Sequence, residues 1–181
     1  WVESIPPEEF VPVFLPFLMA SNVHPNAKGS FVGISVGHTR WHLLRSVYEG
    51  IAFCHRYHAE KLLATRTEPP KCIRLAGGAA KSPVWTQMFA DILQIPVQTV
   101  AANETGALGC AIASAVAAGD YPDLSAAAAA MCRISEPVAP RPEYREIYDR
   151  KYALYLKTIE CLDPLWSEMQ SFIDASGKTA D

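Results

Sequence analysis

The sequence predicts an α/β fold, and three observations carry that prediction. Short apolar runs alternate with stretches of helical period along most of the chain. One run, Cys72–Ala76, leads straight into Gly77-Gly78, and a capped helix follows it. The helical stretches carry one-sided apolar stripes, as helices covering a sheet do.

Residues 1–30, rich in Pro, Asn and Gly, predict loop with one short helix near Pro7–Phe10. Phe31–Val36, bounded by Gly29 and Gly37, predicts a strand. From Thr39 to about Leu63 the period becomes helical. Leu44, Val47, Tyr48, Ile51, Cys54, His58 and Leu62 form the expected inner face, with Arg45, Glu49, Arg56 and Glu60 turned outward. Cys72–Ala76 is the second strand. Ser82-Pro83 supplies an N-cap and a first-turn proline, and Trp85, Met88, Phe89 and Ile92 give the stripe of a helix ending near Leu93. Ile95–Val100 predicts a third strand. Thr105 is the expected cap of a helix over 106–118, closed by Gly119. That helix is nearly all Ala and Gly, which suits close approach to a sheet. Ala126–Ala130 reads as a short helix. A last helix over 143–162 carries Tyr144, Ile147, Tyr148, Tyr152, Tyr155, Leu156 and Ile159, with Pro164 expected to break or kink it. The chain frays from Ser176.

Composition bounds the function. Half of the 181 residues are hydrophobic and 19% are charged, which places the chain among globular rather than disordered proteins. A net charge of −3 without a basic run argues against nucleic acid or an acidic membrane surface as partners. Neither long apolar stretch, Phe10–Ala20 or Ala107–Ala118, approaches the ~20 residues of a spanning helix. Trp1-Val2-Glu3-Ser4 has no initiator Met, basic start or apolar core, so a piece of a longer protein without a signal peptide is expected. The five scattered cysteines read as small reduced core residues of a cytoplasmic protein.

The stretch with most chemistry in it is Ile73–Ser82. Paired glycines at a strand end let a flat or charged ligand approach the backbone, and a following helix N-terminus suits phosphate. A plain strand-to-helix turn has the same local pattern. Lys81-Ser82 is not part of a Walker loop, because Leu75 and Ala80 stand where that loop needs glycine. The G-x-G-x-x-G register fails at Ala79 and Ser82, which weighs against a dehydrogenase fragment. If the pair His38 and His42 and the pair His55 and His58 lie on one helix, His42 and His55 are about 20 Å apart at 1.5 Å per residue, so the two pairs cannot share one ion. With no carboxylate or cysteine at ligand spacing, no metal site is expected, and His58 reads as a core histidine.

Gly29-Ser30-Phe31-Val32-Gly33-Ile34, seven residues, then His42-Leu43-Leu44-Arg45-Ser46-Val47-Tyr48-Glu49 resembles the C-terminal signature of the FGGY carbohydrate kinases. Leu75–Pro83 is similar to that family's adenosine-binding turn, and Phe89–Leu93 and Glu104–Ala111 to the helices that follow it. The resemblance spans about residues 15–170. It implies a ribonuclease-H-like, actin-like ATPase fold in which two lobes close on ATP, Mg²⁺ and a sugar or polyol. It also implies a nucleotide site at Gly77, Gly78, Ala79 and Ser82, bordered by the start of the Glu104–Gly109 helix. The family's general base and phosphate hairpin would lie upstream of residue 1, with neither mapping onto Asp91, Asp120 or Asp123. Met19-Ala20-Ser21-Asn22-Val23 replaces a Gly-Glu-Arg-x-Pro-like segment, which resembles the L-xylulose kinase branch more than the D-xylulose or glycerol kinases.

On this reading residues 1–30 are a loop-rich segment of the lobe, 31–172 the nucleotide-binding domain and 173–181 a tail. The expected function is the ATP-binding C-terminal lobe of a cytoplasmic pentulose kinase, inactive without its N-terminal lobe. Glycerol, gluconate and ribulose kinases are alternatives within the family. A non-catalytic actin-like assembly module is the alternative from another class. A lobe cut from a two-lobed cleft exposes apolar surface, so self-association, in a homodimer or in aggregates, is also expected.

Overall fold

A computed structural model describes residues 1–19, 21, 23–102 and 104–176. Part of the 19–23 segment and the tail from Gly177 therefore lie outside the described residues. The chain divides into two compact units. One comprises Trp1–Thr67 with Glu143–Asp181, the other Glu68–Pro142.

The first unit is built on a small antiparallel hairpin. Strand β1 (Val13–Leu15) pairs with β2 (Ser30–Val32), placing Phe14 opposite Phe31. Helix α1 (Arg40–Leu63) packs across β1, and the long α5 (Arg145–Ala175) packs on both. Leu15, Phe14, Phe17, Phe53, Tyr148, Tyr155 and Trp166 make the core. Strand β1 arises in a stretch expected as loop, and Pro7–Glu9 forms turns where a short helix was expected. Strand β2 ends at Val32, four residues early, because Gly33 turns the chain at φ +87° and leaves Val36 fully exposed.

Helix α1 starts where the sequence places it. Thr39 caps it, and His42 stands at the third position of the capping box. Its inner face is not the expected one. Arg45, Ser46, Glu49, Gly50, Ala52 and Phe53 are buried, whereas Leu44 and Leu62 are exposed. The reason is that the charges are paired. Arg45 Nε donates to Glu49 Oε1 at 2.8 Å, and its other nitrogens donate to the Val2 and Ile5 carbonyls and the Tyr148 hydroxyl. Lys151 Nζ donates to both Glu49 oxygens at 3.0 Å. A buried charge with every polar atom satisfied reads as polar in a period analysis and still belongs inside.

Helix α5 begins at Arg145, so the expected Tyr144 precedes it; Tyr148, Tyr152 and Tyr155 point inward as expected, and the helix runs on through Pro164. Trp166 is fully buried, edge-on to Phe17 at 5.9 Å. Burying a large side chain contributes about 1.5–3 kcal/mol, comparable with the ~3 kcal/mol that proline costs inside a helix.

In the second unit β3 (Ile73–Leu75) and β4 (Val97–Thr99) pair in parallel, Ile73 against Val97 and Leu75 against Thr99. Helix α2 (Pro83–Leu93) connects them, and Met88, Phe89, Ala90 and Ile92 are its buried face. The 133–138 segment runs antiparallel along the other edge of β4 through bridges Val97–Val138 and Val100–Ile134, a pairing the sequence does not announce. Helix α3 (Thr105–Ala118) ends at Gly119 in the left-handed region, as expected, but Thr105 is its first residue and not its cap. None of its residues is buried, and a Cβ added to Gly106 or Gly109 would meet nothing within 4 Å. The expected close approach to a sheet is therefore absent from this unit. Its contact is with α4 (Leu124–Met131), capped by Asp123. All five cysteines are free, yet none is a core residue: Cys110 and Cys161 are exposed and the other three half-buried.

Candidate functional site

Parallel pairing delivers the C-terminal ends of β3 and β4 to one edge of the second unit. Each strand is followed in the chain by a helix, α2 after β3 and α3 after β4. In open α/β sheets that edge is where ligands lie.

The four residues singled out in the sequence occupy the β3–α2 turn. Gly77 holds φ +84°, a conformation that L side chains rarely adopt. Gly78 is right-handed at φ −59°, so the positive-φ requirement falls on one glycine of the pair and not on both. A Cβ at either position would meet nothing within 4 Å. The turn is therefore an exposed backbone surface, with free space where side chains would stand. Ala79 opens a single 3-10 turn over Ala79–Lys81. Ser82 then caps α2, its hydroxyl accepting from Trp85 N–H at 3.3 Å. That bond uses the hydroxyl as a helix cap and leaves the turn's backbone as the open feature.

Near the far end of α2, sequence reasoning missed a buried anion. Asp91 is fully buried and holds residue 141 through its backbone N–H at 2.8 Å and its guanidinium at 2.6 and 3.0 Å. Gln87 adds a bond at 2.9 Å. The carboxylate thus ties α2 to the 139–142 segment. A lone acid inside the apolar run Met88-Phe89-Ala90-Asp91-Ile92-Leu93 was the available signal. Asp123 likewise serves the backbone, accepting from Ala126 N–H at 2.8 Å.

The histidines are engaged locally. His42 Nδ1 accepts from the Thr39 N–H at 3.1 Å, so its Nε2 carries the proton donated to Glu9 at 2.7 Å. His38 Nδ1 accepts from Ser35 N–H at 3.0 Å. His58 is half-buried beside the Cys54 sulfur at 3.8 Å. Among the described residues no group of three or more His, Cys, Asp or Glu forms that could hold a metal ion.

Comparison with known proteins identifies the family. Residues 4–118 match the FGGY family of carbohydrate kinases, C-terminal domain. The L-xylulose/3-keto-L-gulonate kinase of Escherichia coli is 34% identical over 149 residues, covering 82% of this chain and 30% of that protein. A probable L-xylulose kinase of Haemophilus influenzae is 35% identical over 164 residues, covering 91% of this chain and 33% of that protein. The crystal structure of xylulose kinase from Rhodospirillum rubrum superposes with a TM-score of 0.77 at 31% identity, over 92% of this chain and 33% of that one. The chain thus spans about a third of the length of the relatives it matches. The fold is part of the C-terminal domain of an actin-like, ribonuclease-H-like ATPase.

Proposed function

Because the chain belongs to the FGGY family of carbohydrate kinases, we propose that it is the ATP-binding part of a pentulose kinase, with Gly77, Gly78, Ala79 and Ser82 at the nucleotide. The observation that carries this is the open diglycine turn, with Gly77 at φ +84° and no atom within 4 Å of either Cβ position. A purine lies flat against such a backbone, and a side chain at either glycine would take its place. Relatives named as kinases favour this reading over an assembly module or a dehydrogenase.

Sugar kinases of this family use ATP, generally with a divalent metal. The described residues offer no cage for Mg²⁺. The chain's own contribution to phosphoryl transfer is positioning of the nucleotide, that chemistry being mostly orientation and charge stabilisation. The general base, the phosphate hairpin and most sugar contacts belong to an N-terminal lobe, as the relatives' greater length suggests. The substrate class is L-xylulose or a related ketose, supported by two relatives named for L-xylulose. A cytoplasmic location goes with that metabolic role.

The test is an ADP-release assay against L-xylulose, D-xylulose, ribulose, gluconate and glycerol. The complete protein should turn over a ketose, and the 181-residue chain should stay at background. Turnover by the purified chain alone would contradict the assignment of the base to another lobe. Failure of the complete protein on every sugar would contradict the kinase reading.

A further inference from the structure

Three buried charges in the first unit do not balance. Arg45 and Glu49 of α1 meet Lys151 of α5, two cations around one carboxylate. Their side chains are 4%, 3% and 12% exposed. Arg45 also donates to the Val2 and Ile5 carbonyls and the Tyr148 hydroxyl, which occupy its N–H groups without neutralising it. Lys151 is less well supplied. Its ammonium has three N–H groups, and the two Glu49 oxygens, each at 3.0 Å, engage two of them. Among the described residues the third has no acceptor. The Tyr148 ring adds a distant cation–π contact at 5.9 Å. Burial lowers the Lys151 pKa even against the pull of Glu49, and Arg45 pushes the same way. The other acid that acts on Lys151 is Glu8, which is exposed. One positive charge is therefore in excess in a place where water does not offset it.

A cavity of about 30 Å³ lies beside this excess charge. Glu49 and Lys151 form its polar wall, and Phe10, Phe53, Leu154 and Tyr155 give it apolar surfaces. Phe10 and Leu154 are nearly half exposed, so the cavity reaches solvent between them. At about 10–15 Å³ each, roughly two or three water-sized groups fit inside.

Charge, size and wall chemistry together select an occupant. An excess of one positive charge suits a monoanion, whereas a dianion would leave the group negative. A carboxylate group has three heavy atoms, accepts the third Lys151 N–H and turns its alkyl end to the apolar walls. Chloride meets the charge but makes no use of those walls. The cavity belongs to the first unit and the β3–α2 turn to the second, so this reading does not rest on the nucleotide assignment.

We propose that this cavity is a binding site for a short-chain carboxylate, held by the third N–H of Lys151 and balancing the Arg45–Glu49–Lys151 group.

The test is titration of the 181-residue chain with acetate, followed through its backbone amide resonances at constant ionic strength. Acetamide, of the same size without the charge, and chloride are titrated beside it. Acetate should shift the Gly50, Phe53 and Tyr155 amides saturably, and the other two should bind at least about tenfold more weakly. Lys151→Met keeps the Arg45–Glu49 pair and removes the excess charge. It should fold with an unchanged circular dichroism spectrum and bind acetate at least about tenfold more weakly, the loss expected for a hydrogen bond to a charged group. The comparison of acetate with acetamide is made on the parent chain, so it decides even where the variant is unstable. Absence of saturable acetate shifts would overturn the proposal. So would acetamide or chloride binding as tightly as acetate, or a folded Lys151→Met chain binding acetate like the parent.

Discussion

Arg45 and Glu49, one turn apart on α1, form an ion pair at 2.8 Å in which both side chains are under 5% exposed. Lys151 closes the group at 3.0 Å from α5, so three charges join two helices in the core of the first unit. Removing Glu49 leaves Arg45 and Lys151 buried without a counter-charge, at a cost of about 3–5 kcal/mol. Glu49→Leu should lower stability by that amount in urea unfolding. A loss below 1 kcal/mol would show that the group is solvated.

Gly50 is where α1 crosses β1. A Cβ there would fall far inside van der Waals contact with the Phe14 carbonyl oxygen, which is backbone and has little room to move. Gly50→Ala should destabilise by about 1–3 kcal/mol through overpacking. Gly109→Ala, in an exposed helix with nothing near the new atom, should instead stabilise by about 0.5–1 kcal/mol. Thermal melts of the two variants should move in opposite directions.

The tyrosines of α5 predict alkaline sensitivity. Burial, with Cys54 beside it, raises the Tyr155 hydroxyl above the ordinary tyrosine value, and burial with Glu60 does the same for Tyr152. A raised folded value gives stability that is complete below about pH 10 and is lost as pH climbs above it. Lys151 works the other way: burial lowers it despite Glu49, so its share grows as pH rises toward the ordinary lysine value. Tyr155→Phe should flatten the fall in melting temperature above about pH 10. An unchanged slope would contradict the assignment.

Helix ends were legible in the sequence because their chemistry is local. Ser82-Pro83 and Gly119 mark them by capping and backbone preference and Thr39 by the change of period, and the structure uses all three. Burial was less legible. Arg45, Glu49 and Asp91 are inside because partners distant in sequence satisfy them, and periodicity sees only their charge. Pro164 misled for a related reason, since the packing of Trp166 two residues later offsets much of a local penalty. At the candidate site the diglycine turn was readable from composition. Which of the two glycines carries the positive φ was not.

That difference decides the most direct test. Gly78 is right-handed with open space at its Cβ position, so valine there should introduce neither strain nor a clash within the chain. Any loss of binding then reports bulk placed against the nucleotide. Ser82→Ala is the control, expected to cost about 1 kcal/mol of stability through the lost cap and to weaken binding only modestly. Calorimetric ATP titration of the parent chain and Gly78→Val, beside circular dichroism melts, should show binding lost while the melting temperature is unchanged. Binding by Gly78→Val as tight as by the parent would contradict a nucleotide site at this turn.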